Sequence, residues 1–413
     1  RTSWNRRYAR NWGRLGMKFE TTTFRFEDLT LNFDKQRIPL SSGQREKRQG
    51  QYRYYGAQGV IDYVDDYIFD GKYLLIAEDG ENLKSKKQDI AQIVKGKFWV
   101  NNHAHVVQGN ALCLTEYLCY LLNHNDLSGY ITGSAQPKLS QANLNAIAFD
   151  VPSIETQQII VSIISALDEK IATNRAINDN LEQQAMALFK EWFIDNLDIL
   201  SWQKGTFSEL IEKTISGDWG EETLSGSNTE MVYCLRGADI PEVRIGNKGK
   251  MPIRYILPKN FVSKQLVAGD IVVEISGGSP TQSTGRAAAI SKALLARYDK
   301  GMVCTNFCKA LKPIDGYSMF VYHYWQYLYD KGVFFSYENG TTGIKNLDIN
   351  GFIETEPIFI APKEMVRKFD AVCQSIFSKI YANGLENEKL ALLRDTLLPK
   401  LMSGELDVSG IDL

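Results

Sequence analysis

The chain has 413 residues and a formal charge of −2, with 44% apolar, 11% aromatic and 23% charged residues. That balance fits a folded chain of two to four domains and excludes wholesale disorder and a histone-like polycation. It leaves DNA binding by a local basic face open, and no apolar run is long enough to span a bilayer.

Residues 1–16 carry Arg1, Arg6, Arg7, Arg10 and Arg14 and no acid. They read as a tag remnant or an upstream start, with Met17 as the natural start; a basic DNA-touching arm is the weaker reading. No apolar signal-peptide core is present. Residues 17–152 read as a mixed α/β domain, strand-like at 73–77 and 98–100 and helical at 111–123. Next comes a heptad seam, stepping alternately by four and three: Ile160, Ile164, Leu167, Ile171, Asn174, Asn178, Leu181, Ala185, Leu188 and Trp192. Ser153 is a fitting N-cap, and Glu155 suits the positive end of the helix dipole. Thr156 stands where a capping box would need Glu or Gln. Leu188, Phe189, Trp192 and Phe193 crowd the end of this helix, either as a partner-docking patch or as packing under the adjoining domain.

Residues 201–361 read as a second mixed domain, strand-like at 271–275 and 358–360, helical at 319–331 and turn-rich at 276–285. Residues 362–413 then repeat the seam: Phe369, Cys373, Ile376, Ile380, Asn383, Asn387, Leu390, Arg394, Leu397 and Leu401. Arg394 breaks it, and Pro399 is expected to end or kink the helix. Each helix predicts about 40 residues, roughly 60 Å. A buried seam asparagine costs stability but fixes register by demanding a polar partner. The matched asparagines therefore predict that Leu167, Ile171, Asn174, Asn178 and Leu181 pair with Ile376, Ile380, Asn383, Asn387 and Leu390. The globular segment between the helices favours an antiparallel arrangement. The domains also share a repeat: Leu118, Tyr120, Leu121, Gly133 and Lys138 recur at one interval as Trp325, Tyr327, Leu328, Gly340 and Lys345. The expected fold class is α+β, two mixed domains separated by a long antiparallel two-helix coiled coil with an internal pseudo-twofold repeat.

No nucleotide-binding glycine motif, nucleophile elbow or adenine-methyltransferase tetrapeptide occurs. His103 and His105 as a metal pair, or Cys304 or Cys308 with His323 as a thiol dyad, are weaker readings than ordinary structural roles. The six cysteines read as buried free thiols of a reducing cytoplasm. No metal, cofactor or catalytic residue is expected. The stronger features suit phosphate and base contacts. Lys35, Arg37, Arg45, Lys47, Arg48 and Arg53 stand against one acid, Glu46. Ser41, Ser42 and Gln44 lie between them; Tyr52, Tyr54, Tyr55 and Gln58 lie within or just beyond. The loop 276–286 offers Ser276, Ser279, Thr281, Gln282 and Arg286. The repeated loops offer Ser134 with Lys138, and Thr341 and Thr342 with Lys345. Arg236 joins these candidates. Asp79 to Asn82 lies where the second half has its serine-glycine loop; its acids suit cytosine amino groups better than phosphates.

Several stretches resemble the specificity subunits of type I restriction-modification systems: Tyr54 through Ile61, Phe69 to Gly71, Ser165 through Ile171 on to Glu182, Ala187 through Phe193, and Leu397 through Glu405. The resemblance covers essentially the whole chain from Met17. It implies two target recognition domains, each reading half of a split, asymmetric site in double-stranded DNA. It implies a helical spacer docking two modification subunits that bind S-adenosylmethionine and methylate adenine. Restriction subunits would complete an ATP-dependent endonuclease; this chain would be cytoplasmic, bind no membrane and contribute no catalytic residue. The second helix departs from the pattern, with Ile376 to Ile380 where the first has Leu167 to Ile171. The competing readings are a self-contained methyltransferase or nuclease and a helical-hairpin adaptor binding two proteins.

Overall fold

The computed structural model describes residues 19–413 except 86–87, 134–135, 280, 341–343, 409–410 and 412–413. The basic stretch 1–16 and Met17 lie outside the described residues. The chain divides into two units: one runs to Asp168 and includes Leu392–Leu413, and the other is Glu169–Ala391. Each unit thus holds one mixed domain and part of both long helices.

In the first unit a six-stranded sheet runs in the spatial order Thr30–Asn32, Ala104–Gly109, Phe69–Ala77, Ala91–Val100, Gln49–Gly56, Gly59–Val64. The central strand Phe69–Ala77 ends in four consecutive buried residues, as expected where both faces are covered. Helix Thr115–His124 covers one face, placing Tyr117, Leu118, Leu121 and Leu122 against Leu74, Ile76 and Ala91. It starts later than residue 111. The Asn110 side chain accepts the Leu112 N–H at 2.9 Å, and Leu114 N–H donates to Gln157 Oε1 at 2.9 Å, so residues 110–113 form a turn. Strand Thr21–Arg25 pairs antiparallel with Ala148–Pro152, clasping the domain's two ends together.

The second unit has a four-stranded and two three-stranded sheets, and helix Ser318–Asp330, whose Trp325 is fully buried, packs on the four-stranded one. Its ends are clasped the same way: Gln203–Gly205 pairs antiparallel with Ile358–Ile360. Phe189 and Phe193 are buried here, with ring centroids 5.9 and 5.1 Å from Phe369. That crowded helix end is core under the domain, which corrects the partner-patch reading for those two rings.

The long helices are Ile154–Phe193 and Lys363–Met402, 40 residues each. Ser153 Oγ accepts the Thr156 N–H at 3.4 Å, capping the first. In the second unit Asn174 donates to Asn387 Oδ1 at 2.9 Å, and Asn383 donates to Asn178 Oδ1 at 2.8 Å. Partners descend along one helix as they ascend along the other, so these segments run antiparallel. Glycines let the 237–251 segment press onto the second helix: a Cβ on Gly384 would lie 1.9 Å from the Gly246 carbonyl oxygen. In the first unit Arg394, the seam breaker, donates to Asp168 at 2.8 Å. Pro399 does not end the helix, which continues to Met402 with Ser403 N–H donating to the Pro399 carbonyl. Proline lacks only its own donor, and its carbonyl still serves the last turn. Among the described residues no helix is long and apolar enough to cross a membrane.

Candidate nucleic-acid interface

Strand order brings together loops that are remote in sequence. In the first unit the central strand runs out into residues 78–82, beside the loop 133–138. Gly80 N–H donates to the Pro137 carbonyl at 3.2 Å, and Leu139 N–H donates to the Glu78 carbonyl at 2.8 Å. Asp79 and Lys138 form a β-bridge. Gln58, at the tip of the hairpin 49–64, donates to Asn82 Oδ1 at 3.3 Å, adding a third segment.

Beneath these loops lies a charged network. Arg37 Nη1 donates to Glu78 at 3.1 Å and to the Ala104 carbonyl at 2.8 Å; Glu78 also meets Lys138 at 3.3 Å. Buried His105 faces Asp34 Oδ2 at 2.7 Å through Nδ1 and the Leu139 carbonyl at 3.0 Å through Nε2. Burial alone would raise the Asp34 pKa. The His105 hydrogen bond and charge, the Val106 N–H and Arg37 outweigh it and hold the carboxyl below its ordinary value.

The second unit repeats the arrangement with other side chains. Ser276–Gly277 pairs with Lys345–Leu347, which pairs with Glu338–Asn339. The loop 276–286 and the loop ending at Lys345 are therefore neighbours. Glu338 joins them, accepting from Thr284 Oγ1 at 2.9 Å and Lys345 Nζ at 2.7 Å. Burial opposes ionisation of Glu338, but Lys345 and Thr284 prevail and lower its pKa. Glu274 receives Arg286 in a fork at 2.8 and 2.6 Å. Gly277, at φ +146°, leaves room for that carboxylate: a Cβ there would lie 2.9 Å from Glu274 Oε1.

The candidate residues divide by environment. Lys35, Ser41, Lys47, Gln58, Lys138, Thr281 and Gln282 are exposed; Ser276 and Ser279 are half-buried. Ser41 also caps the short helix Ser42–Glu46. Tyr54 and Tyr55 are buried, which corrects their assignment as surface contacts: Tyr54 Oη accepts the Leu40 N–H at 2.8 Å, and Tyr55 stacks edge-on to Phe98. Arg37, Arg45, Arg48, Arg236, Arg286 and Lys345 have carboxylate partners: Glu78, Asp62, Asp65, Asp239, Glu274 and Glu338. They hold loops in place and present less free charge than the sequence suggested. Ser134, Thr341 and Thr342 lie outside the described residues.

His103 binds Asp79 at 2.6 Å, so the two histidines point to different carboxylates rather than to a shared metal. His323 Nδ1 donates to the Met319 carbonyl, and burial pushes its pKa down to about 4 while pushing the Cys308 thiol up to about 12. That pairing suits a packed interior, not a reactive thiol. Asp34, Glu274 and Glu338 were missed by sequence reasoning, because each acts on a loop reached only through the folded sheet.

Residues 20–183 match the family profile described as the type I restriction modification DNA specificity domain. A Haemophilus influenzae relative named as a type I restriction enzyme specificity subunit (S.HindORF215P) is 30% identical over 253 residues. That match covers 58% of this chain and 62% of the relative, so the chain spans less than two thirds of the relative's length. The MjaIX specificity subunit of Methanocaldococcus jannaschii is 29% identical over 322 residues, 72% of this chain and 70% of that protein. The crystal structure of a type I restriction-modification S subunit from M. genitalium shares the fold, with a TM-score of 0.58 at 14% identity over 94% of this chain and 97% of that one. Residues 20–183 are thus similar to the type I restriction modification DNA specificity domain, and the chain is similar to type I restriction enzyme specificity subunits.

Proposed function

We propose that this chain is the DNA-reading and scaffolding subunit of a type I restriction-modification complex and contributes no catalytic residue. Residues 17–152 and 201–361 act as target recognition domains, each reading one half of a bipartite, asymmetric site. Segments 153–200 and 362–413 form an antiparallel coiled coil that spaces the readers and docks two modification subunits, to which restriction subunits add. The observation that carries this reading is the convergence, in each unit, of the loops singled out for phosphate and base contact. The asparagine pairs between the long helices support the spacer, and the matched strand clasps support a pseudo-twofold repeat that offers one partner two equivalent surfaces. Exposed Lys35 and Lys47 meet phosphates, while Gln58, Ser276, Ser279, Thr281 and Gln282 lie on the base-reading side.

The test is co-expression with the modification subunit of the same operon, followed by mapping of methylated adenines across the host genome. The expected result is a split motif modified in both halves, with one half altered when residues 201–361 are exchanged. A well-formed complex that neither methylates nor binds DNA selectively refutes the reading.

A further inference from the structure

Both units carry one main-chain ladder that crosses four segments. In the first, Asn101 N–H donates to the Tyr55 carbonyl, Glu78 N–H donates to the His103 carbonyl at 2.9 Å, and Leu139 N–H donates to the Glu78 carbonyl at 2.8 Å. In the second, Thr305 N–H donates to the Leu235 carbonyl, Ile275 N–H to the Phe307 carbonyl at 2.9 Å, and Leu347 N–H to the Ile275 carbonyl at 2.9 Å. The tight turns at the ladder's centre also match. Asn101 Oδ1 accepts the His103 N–H at 2.8 Å, and Thr305 Oγ1 accepts the Phe307 N–H at 3.2 Å. Two frameworks of unlike sequence thus lift one residue to the same place, beside the loop that leaves the central strand and the loop bearing Lys138 or Lys345.

The lifted residues differ in chemistry. The His103 side chain is 49% exposed, and Asp79 takes up its Nδ1 at 2.6 Å. That carboxylate calls for a hydrogen on Nδ1, and in that tautomer Nε2 keeps its lone pair, an acceptor suited to an adenine or cytosine amino group. Phe307 is 60% exposed among buried neighbours Thr305 and Cys308. A phenyl ring has no hydrogen bond to offer, and what it reads in a major groove is the C5 methyl of thymine.

Resting on the DNA-reading role proposed above, we propose that His103 and Phe307 are equivalent specificity-determining positions: His103 accepts from one base amino group in the first unit's half-site, and Phe307 packs on one thymine methyl in the second unit's.

The test uses the complex with the modification subunit and duplexes carrying its mapped motif. Each thymine of the second unit's half-site is replaced in turn by deoxyuridine, which removes only the methyl. In the unaltered complex one replacement weakens binding by about five- to tenfold, the scale of one lost base contact. In Phe307→Ala that penalty vanishes while every penalty in the other half stays. His103→Leu loses discrimination at one base pair of the first unit's half-site and leaves the second intact. Unchanged melting temperatures of both variants exclude misfolding. If Phe307→Ala keeps every uracil penalty, or weakens both halves alike, the assignment falls while the DNA-reading role stands. If the unaltered complex shows no selectivity, the DNA-reading role falls and the assignment with it.

Discussion

Replacing Gly384 by alanine reverses the usual sign of a helix substitution. In open space the change stabilises a helix interior by about 1 kcal/mol. Here the new Cβ would sit 1.9 Å from the Gly246 oxygen and 2.5 Å from its carbonyl carbon, both backbone atoms that cannot rotate away. Ordinary contact begins near 3.4 Å, so the 237–251 segment must retreat by roughly 1.5 Å. That retreat strains the Asn178 hydrogen bond to the Ile245 carbonyl, 3.0 Å, and the Arg297 bond to the Gly246 carbonyl. Overpacking costs about 1–3 kcal/mol and each weakened bond about 1 kcal/mol. Set against the helix gain, the net loss is ~3 kcal/mol. For a unit of this size that lowers the melting temperature by roughly 6–12 °C in a calorimetric scan. Gly43, which has nothing within 4 Å, is the control, and Gly43→Ala leaves the transition unchanged or raises it. A Gly384→Ala protein as stable as the parent would refute the claim that this segment is seated on the helix.

Three further outcomes follow. Asp34 has its pKa lowered, so its contribution to stability is fully present above the unfolded value near 3.8 and is lost as pH falls through the lower folded value; Asp34→Asn removes a buried partner of His105, costs roughly 3 kcal/mol at neutral pH and flattens that acid limb in melting curves taken between about pH 2 and 6. All six cysteines are free and buried, and burial pushes the thiols of Cys113, Cys119, Cys234 and Cys308 up to about 12; Ellman's reagent at pH 8 titrates none in the native chain and all of them in guanidinium. Arg394 and Asp168 remain one-third and two-fifths exposed, so a double-mutant cycle between them returns under about 1 kcal/mol in urea denaturation.

The extent of the two long helices was legible because a four-three step needs no tertiary information. The domain strands at 73–77, 98–100 and 358–360 were legible from β-branched and aromatic runs. The clasp strands Thr21–Arg25 and Gln203–Gly205 were not: they are short and polar, and become strands only through partners more than a hundred positions away. Arg37, Arg45 and Arg286 looked like phosphate ligands because sequence displays charge but not the carboxylates that answer it across a sheet. Tyr54 and Tyr55 looked like surface aromatics because they stand among basic residues, although strand alternation turns Tyr54 inward and the neighbouring Phe98 covers Tyr55. The shared ladder through His103 and Phe307 is carried by main-chain atoms, so sequence repeats could not reveal it.

The pairing of Asn174 with Asn387 joins residues 213 positions apart. On a ribosome adding 5–20 residues per second, the first helix leaves the tunnel roughly 10–40 s before its counterpart exists. Throughout that interval its apolar stripe and two amide groups face water or whatever else is nearby, including the same helix on a neighbouring nascent chain. Synthesis therefore sets a clock on this architecture: pauses between the two helices lengthen the time in which chains can entangle, and rapid elongation through residues 201–361 shortens it.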